Sequence, residues 1–408
     1  MKKYAAYGTV LLFTVIYILS FVDRQIVAVL GTQIRDGLTL NNLQIGLLYG
    51  PAFSFVYALA GIPMGRISDR TSRKMMISIG LFTWSLMTVL SGFAASFMFL
   101  ITARIFVGLS QAMLSPAVYS YLADAFKPEK RATIFSVYAS GIFIGVGLSF
   151  FVGGSVSLQY DWRTAMIVVG IPGLILAPLT WLLVKEPSRV VKKSTLEENV
   201  WSDIKWILKK KSVQYHLLGF SFLACMGYTI LAFVGNVFND VHDRPDLISN
   251  YGWFMFGVGI SVILSGKIAD LLAEKSSDRR YLMGVFAALG GLPFYGLGLY
   301  ASSAEMSFIL MGVGVLFASS YNGVAAAIIQ YFVPGTKRAL AGGIYLFVIS
   351  IAGFGVGPPV TGWLMDFVFS GEYAVSHAMF TVIVICSAGA AFSLLRAMKY
   401  YDADVVLN

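Results

Sequence analysis

Cysteine, histidine and charge are all scarce in this chain of 408 residues, which holds two cysteines, three histidines and 12% charged side chains. Cys225 and Cys386 both lie inside apolar runs, so no disulfide framework is expected. His216, His242 and His377 are scattered near the ends of apolar runs without metal-ligand spacing, and no metal site is expected. Soluble domains carry about a quarter charged residues. Half that proportion excludes a cytosolic enzyme, a secreted protein and a nucleic-acid binder. A phosphate-cradling Gly-x-x-x-x-Gly-Lys-Ser/Thr loop is missing as well. Gly266-Lys267 is followed by Ile268 and lacks the earlier glycine, which argues against ATP drive within the chain. With no nucleophile elbow either, the sequence reads as neither an enzyme nor a cofactor protein.

What is abundant is apolar surface. Hydrophobic residues make up 57% of the chain, the mean hydropathy is +0.76, and the apolar residues come in long runs. A membrane-crossing helix needs about 20 of them. Twelve crossings leave 34 residues for each span with its loop, which leaves no room for a soluble domain. Runs bounded by charge or turn residues predict twelve helices, over 4–32, 43–66, 74–94, 96–124, 131–157, 162–184, 213–238, 248–272, 280–300, 304–331, 338–367 and 373–400. The first run carries Lys2 and Lys3 ahead of it like a signal peptide, but it continues through Asp23 and Arg24 without a small-residue cleavage site. It is therefore expected to stay as the first crossing.

The basic residues set the orientation. Of 30 Lys and Arg, 25 fall on the side of the termini and the central loop, and only Arg35, Arg163 and Arg244 fall opposite. The positive-inside rule then predicts an integral, multi-pass protein of the inner or plasma membrane with both termini in the cytoplasm. It also accounts for the formal charge of +9 without nucleic acid.

The only long polar stretch, 185–212, separates an amino-terminal bundle (1–184) from a carboxy-terminal one (213–408). Trp201, Ile204, Trp206 and Ile207 are spaced for one helical face, so this linker is expected to hold an amphipathic helix lying on the cytoplasmic leaflet. The two bundles repeat. Gly65-Arg-Ile-Ser-Asp69 is echoed by Gly266-Lys-Ile-Ala-Asp270, and Phe126-Lys-Pro128 by Phe332-Val-Pro334, at offsets near 201 and 206 residues. The fifth and eleventh runs are both glycine-rich, which suits close helix packing. Two similar six-helix halves are the construction of a rocking transporter.

These residues carry a resemblance. Gly65-x-x-x-Asp69-Arg70-x-x-Arg73-Lys74 resembles the signature of the major facilitator superfamily. Over about the first 160 residues the chain is similar to the spinster branch. The matching segments are Phe21-Val-Asp23-Arg24-Gln25, Gln44-Ile-Gly-Leu-Leu-Tyr-Gly50, Ala103-Arg104-Ile-Phe-Val-Gly108 and Ser115-Pro116-Ala-Val-Tyr119. The resemblance implies an all-α membrane protein of twelve helices in two pseudo-symmetric bundles, the major facilitator fold, acting by alternating access. It implies that Gly65, Asp69, Arg70 and Arg73 form a cytoplasmic gate, with Gly65 packing closely and Arg70 and Arg73 bracing the other half. It also implies export of lysolipids or sphingosine-1-phosphate-like molecules, with protons as the candidate driving ion. The branch usually reads Gly-Glu-Ala where this chain has Ser110-Gln111-Ala112. Two readings stand: a member without that carboxylate, or a replacement that imitates its protonated form.

The residues themselves point to a site. A charge at a helix centre costs about 2.5–3.5 kcal/mol on insertion scales, so Asp23, Arg24 and Arg104 are expensive unless paired or wetted. Counting about 1.5 Å per residue from opposite ends brings Asp23 and Arg104 to one level, which predicts a salt bridge between them. Gln111 lies two turns further along the face of Arg104. Arg24, Arg104 and Gln111 are the expected ligands of an anion, Asp23 is the expected proton carrier, and protonating Asp23 is expected to free Arg104. In the second half Tyr228, Tyr321 and Asn322 are the polar candidates. The leading expectation is a monomeric transporter of an anionic amphiphile, in contact with membrane lipids and with protons. A carrier of small organic anions such as sugar acids is the alternative, and a receptor or sensor on a transporter fold is the alternative of another class.

Overall fold

The computed structural model describes residues 3–187, 200–334 and 337–406. Among the described residues every regular element is a helix. Twelve are long and apolar enough to cross a membrane: α1 (Ala6–Val29), α2 (Asn42–Gly61), α3 (Arg73–Ser91), α4 (Phe97–Ala125), α5 (Thr133–Gln159), α6 (Trp162–Leu183), α7 (Lys211–Val241), α8 (Asp246–Ala273), α9 (Ser277–Leu299), α10 (Ala304–Phe332), α11 (Leu340–Phe367) and α12 (Ala374–Asp404). Their outward side chains are apolar. Leu11, Met98 and Leu182 are 66%, 70% and 74% exposed, an arrangement that suits lipid and not water.

Local chemistry sets where the helices start. Asn41 and Gln44 form a reciprocal capping box at the start of α2. The side chains of Ser72, Ser96, Asp161 and Ser303 each accept a backbone N–H at the starts of α3, α4, α6 and α10. Each such cap contributes about 1 kcal/mol by satisfying a donor the first turn cannot use. Several crossings are irregular inside. α2 breaks at Gly50–Pro51, α4 at Ala112–Met113, and α5 carries one wide π turn at Ser149–Gly153. Pro172 and Pro178 sit within α6, and Pro358 and Pro359 within α11.

The chain forms two compact units, residues 1–194 with 245–255 and residues 195–244 with 256–408. In the first unit, α1 lies against the glycine-rich face of α5. A Cβ on Gly145 would come within 2.5 Å of the Ile18 carbonyl oxygen, so only glycine lets the two backbones approach this closely. Residues 245–255 join this unit through the same kind of contact. A Cβ on Gly154 would meet Ser249 at 2.9 Å. The core of the unit is aromatic and aliphatic, built around Phe13, Tyr17, Trp84, Tyr121 and Tyr138.

In the second unit α7 packs against α11 and α12. His216 of α7 is fully buried, with Nδ1 3.0 Å from the Tyr281 hydroxyl and the rings of Phe220 and Tyr345 around it. A histidine counted as a helix-end residue in the sequence is thus a core residue. The linker helix spans Val200–Lys209. Its expected single apolar face divides: Ile207 is buried, whereas Trp201 and Trp206 are 73% and 41% exposed. The Lys337 ammonium pairs with Asp203 on the inward side and lies 5.5 Å from the Trp206 ring. The linker residues 188–199 lie outside the described residues.

Candidate functional site

The charges predicted to meet inside the first unit do meet there, between α1 and α4, with α3 alongside. Asp23, Arg24, Arg104 and Gln111 are 2%, 8%, 3% and 0% exposed. Neighbours in sequence diverge by about 100° around a helix, so Asp23 and Arg24 face different partners. Asp23 turns to α3, where the Thr88 hydroxyl reaches its Oδ1 at 2.5 Å. Arg24 turns to α4 and α2. Its Nε donates to Gln111 Oε1 at 2.7 Å, and its guanidinium carbon sits 4.6, 5.0 and 4.5 Å from the ring centres of Phe21, Phe53 and Tyr57. Gln111 Nε2 donates to the Ser20 carbonyl at 3.3 Å, which fixes the amide so that its oxygen faces the cation. The three rings offer their negative faces to the guanidinium and place apolar surface beside it.

Arg104 does more than face a carboxylate. Its Nη1 donates to the Asp23 backbone carbonyl at 3.0 Å and its Nη2 to the Arg24 carbonyl at 3.3 Å. The predicted ion pair with the Asp23 carboxylate is present but long, at 4.0 Å. Arg104 therefore clamps α4 to the backbone of α1. Since carbonyls hold both Nη groups, protonating Asp23 has no direct hydrogen bond to release. Beside Arg24 on α1, Gln25 Oε1 accepts from the Tyr49 hydroxyl of α2 at 2.8 Å, a second tie between α1 and a neighbour.

Two of the expected gate residues can be placed. A Cβ on Gly65 would meet nothing within 4 Å among the described residues. Arg73 is 1% exposed and is held inside the first unit. It pairs with Asp124 at 2.5 Å and Glu186 at 2.7 Å, and Nη1 also donates to the Ser120 carbonyl at 3.0 Å. It braces α3 against α4 and the end of α6. Burial pushes the Glu186 carboxyl up. The hydrogen bonds from Arg73, the Lys74 N–H and the Ser72 hydroxyl, with the Arg73 charge, outweigh that and hold it below its ordinary value of 4.5. The side chains of Asp69 and Arg70 lie outside the described residues.

In the second unit the three polar candidates have separate surroundings. Tyr228 lies on the Phe354 ring, with centroids 3.6 Å apart. Tyr321 is 6% exposed and stacks on Phe220. Asn322 is exposed, and its Nδ2 donates to the Ser319 carbonyl at 2.9 Å.

Sequence reasoning passed over Thr88 and the rings of Phe21, Phe53 and Tyr57. A signal for Thr88 existed. Ser85, Thr88 and Ser91 recur every three residues along an otherwise apolar helix, and all three are buried. The rings gave no signal, because they stand among 31 phenylalanines and 21 tyrosines.

Comparison with known proteins agrees with this architecture. An MFS-type efflux pump of Mycolicibacterium smegmatis is 26% identical over 99% of this chain and 95% of its own length. A hexuronate transporter of Bacillus subtilis is 24% identical over 89% of each. The crystal structure of a bacterial homolog to the human lysosomal transporter Spinster, inward-facing and unoccupied, superposes with a TM-score of 0.88 at 26% identity, covering 100% of this chain and 99% of that one. The profile of the Major Facilitator Superfamily matches residues 13–275. The twelve helices, the motif around Gly65 and the buried charges of α1 and α4 therefore belong to a member of the Major Facilitator Superfamily, a secondary transporter.

Proposed function

We propose that this transporter carries an anionic amphiphile, of the lysolipid or sphingosine-1-phosphate kind, and that Arg24 engages its head group. One observation carries the reading: the Arg24 guanidinium is oriented by Gln111 and framed by Phe21, Phe53 and Tyr57. A cation with planar donors suits phosphate or carboxylate, and rings around it suit the apolar part of the same molecule. Phe21 and Tyr57 are half-buried, so the frame keeps some accessible surface. Gln111 acts as a positioning residue for Arg24, and Arg104 holds the helices on which both stand. Asp23 is the proton carrier, and Asp69, Arg70 and Arg73 belong to the gate on the cytoplasmic side, where both termini lie. The protein works as a monomer.

A second reading, a small organic anion such as a sugar acid, is favoured by the likeness to the hexuronate transporter. The two are separated by flux into proteoliposomes of 18:1 lysophosphatidylglycerol against D-galactonate, with and without a pH gradient. Lysolipid flux that falls at least tenfold in Arg24→Gln is the expected result. Galactonate flux alone overturns the amphiphile reading, and flux of either anion that is indifferent to Arg24→Gln overturns the role of Arg24.

A further inference from the structure

Thr88 has one proton and two acceptors. Its Oγ1 lies 2.5 Å from Asp23 Oδ1 and 3.0 Å from the Trp84 carbonyl oxygen. With Asp23 ionised, the hydroxyl must give its proton to the carboxylate. With Asp23 protonated, the acid is the donor, and the hydroxyl turns its own proton to the Trp84 carbonyl. Thr88 can thus serve either state of Asp23 without moving its oxygen.

On the far side of Thr88 lies a small cavity of about 10 Å³, between α1, α3, α4 and α6 and lined by Thr88, Ser91 and Arg104 among apolar neighbours such as Val27 and Leu100. That is room for one water molecule. Arg104 is 3% exposed, and its Nε–H has no partner among the described residues. A buried donor without an acceptor is destabilising, and a water in this cavity would supply the acceptor. The Ser91 hydroxyl gives its proton to the Met87 carbonyl at 2.8 Å, so its oxygen is left to accept. Arg104 Nε–H, Ser91 Oγ and Thr88 Oγ1 together supply the two to four polar partners that a buried water needs.

We infer that this cavity is a water site and that Thr88 relays protons between its water and Asp23. The inference rests on the reading of Asp23 as the proton carrier. In the step, a proton carried by the cavity water forms a bond to Thr88 Oγ1 while the hydroxyl's own proton passes to Asp23 Oδ1. The carboxylate becomes an acid, the hydroxyl is restored and neutral water remains. The charged groups facing Asp23 are Arg104 of α4, at 4.0 Å, and its own neighbour Arg24. On α2 the Tyr49 hydroxyl is bonded to Gln25, the second residue after Asp23. The cavity lies toward the end of α1, the start of α4 and the start of α6. The relay therefore opens Asp23 to the face opposite the termini.

The test needs no substrate. Purified protein in lipid nanodiscs is given a rapid pH drop, and the infrared carboxyl band of protonated Asp23, assigned by its loss in Asp23→Asn, is followed in time. Thr88→Val keeps the shape and removes the hydroxyl. Its band is expected to rise at least tenfold more slowly and at a shifted frequency, and Thr88→Ser to restore both. Ser91→Ala, which removes one acceptor of the water, is expected to slow the band about threefold and covers the case of a poorly folded valine variant. An unchanged rate in Thr88→Val and Ser91→Ala overturns the relay while leaving Asp23 as a carrier. No Asp23 band at any pH removes the carrier, and the relay with it. Xenon entering the cavity of a crystal under pressure, with no water within hydrogen-bond distance of Arg104 Nε, overturns the water site.

Discussion

The orientation of Arg24 by a neutral amide makes Gln111→Glu the most informative substitution in the first unit. The side chain keeps its shape and gains a carboxylate 2.7 Å from the Arg24 Nε, with both residues buried. Two unit charges about 4 Å apart attract by roughly 4 kcal/mol at an effective dielectric near 20. Desolvation of the new carboxylate consumes about half of this. The remaining ~2 kcal/mol must be overcome by any anion that competes for Arg24, a loss of about thirtyfold in affinity. Titration calorimetry with 18:1 lysophosphatidylglycerol at pH 7.5 is expected to show that loss. As the pH falls and the new carboxyl takes up a proton, it becomes a neutral group of the same shape as the native amide. The deficit is then expected to shrink toward wild type. Gln111→Met separates charge from hydrogen bonding, because it removes the acceptor without adding a charge, so its loss of affinity should not vary with pH. Binding by Gln111→Glu within twofold of wild type across the whole range would refute the placement of the anion at Arg24.

Arg104→Lys keeps the charge but cannot span two carbonyls. It should lower the melting temperature in detergent by an amount equivalent to about 1–3 kcal/mol and leave lysolipid affinity within threefold. Gly108→Ala puts a methyl 2.6 Å from the Phe53 carbonyl oxygen, an overpacking worth about 1–3 kcal/mol. Both melting temperature and anion affinity should fall, because Phe53 covers Arg24 and Arg104. Gly65→Ala meets open space and is expected to leave the melting temperature unchanged or raise it. For Glu186, whose carboxyl is held below its ordinary 4.5, the stabilisation is complete above that value and is lost as pH falls through the lower folded value. The melting temperature of wild type should therefore drop below about pH 4.5 more steeply than that of Glu186→Gln.

The crossings were legible because a membrane helix must hide its backbone and show apolar side chains along its whole length, which leaves little ambiguity in runs such as 162–184. The buried charges were legible for the converse reason, since Asp23, Arg24 and Arg104 interrupt such runs. Depth arithmetic brought Asp23 and Arg104 to one level, but level is not direction. Nothing in the composition says that a guanidinium will choose two backbone carbonyls over a carboxylate, as Arg104 does. Arg73 misled in the same way. A loop arginine suggests a reach across the molecule, whereas Asp124 and Glu186 lie within its own unit. The signal at Thr88 was easy to pass over because a hydroxyl in an apolar helix satisfies itself on the preceding turn as readily as it serves a neighbour. Its value comes from the carboxylate opposite, which belongs to another helix.

The wide turn at Ser149–Gly153 has a consequence for kinship. Such a turn is an α-helix holding one residue more than its pitch allows, so it marks a place where chain length can differ by one without unravelling the rod. Deleting one residue there would restore the ordinary ladder and swing everything beyond it by about 100°. Gly154 would rotate off Ser249, which it meets across a gap too narrow for a methyl. Distant cousins that lack the surplus residue must carry their small side chain one position away, and alignments that ignore the slip will pair the wrong glycines.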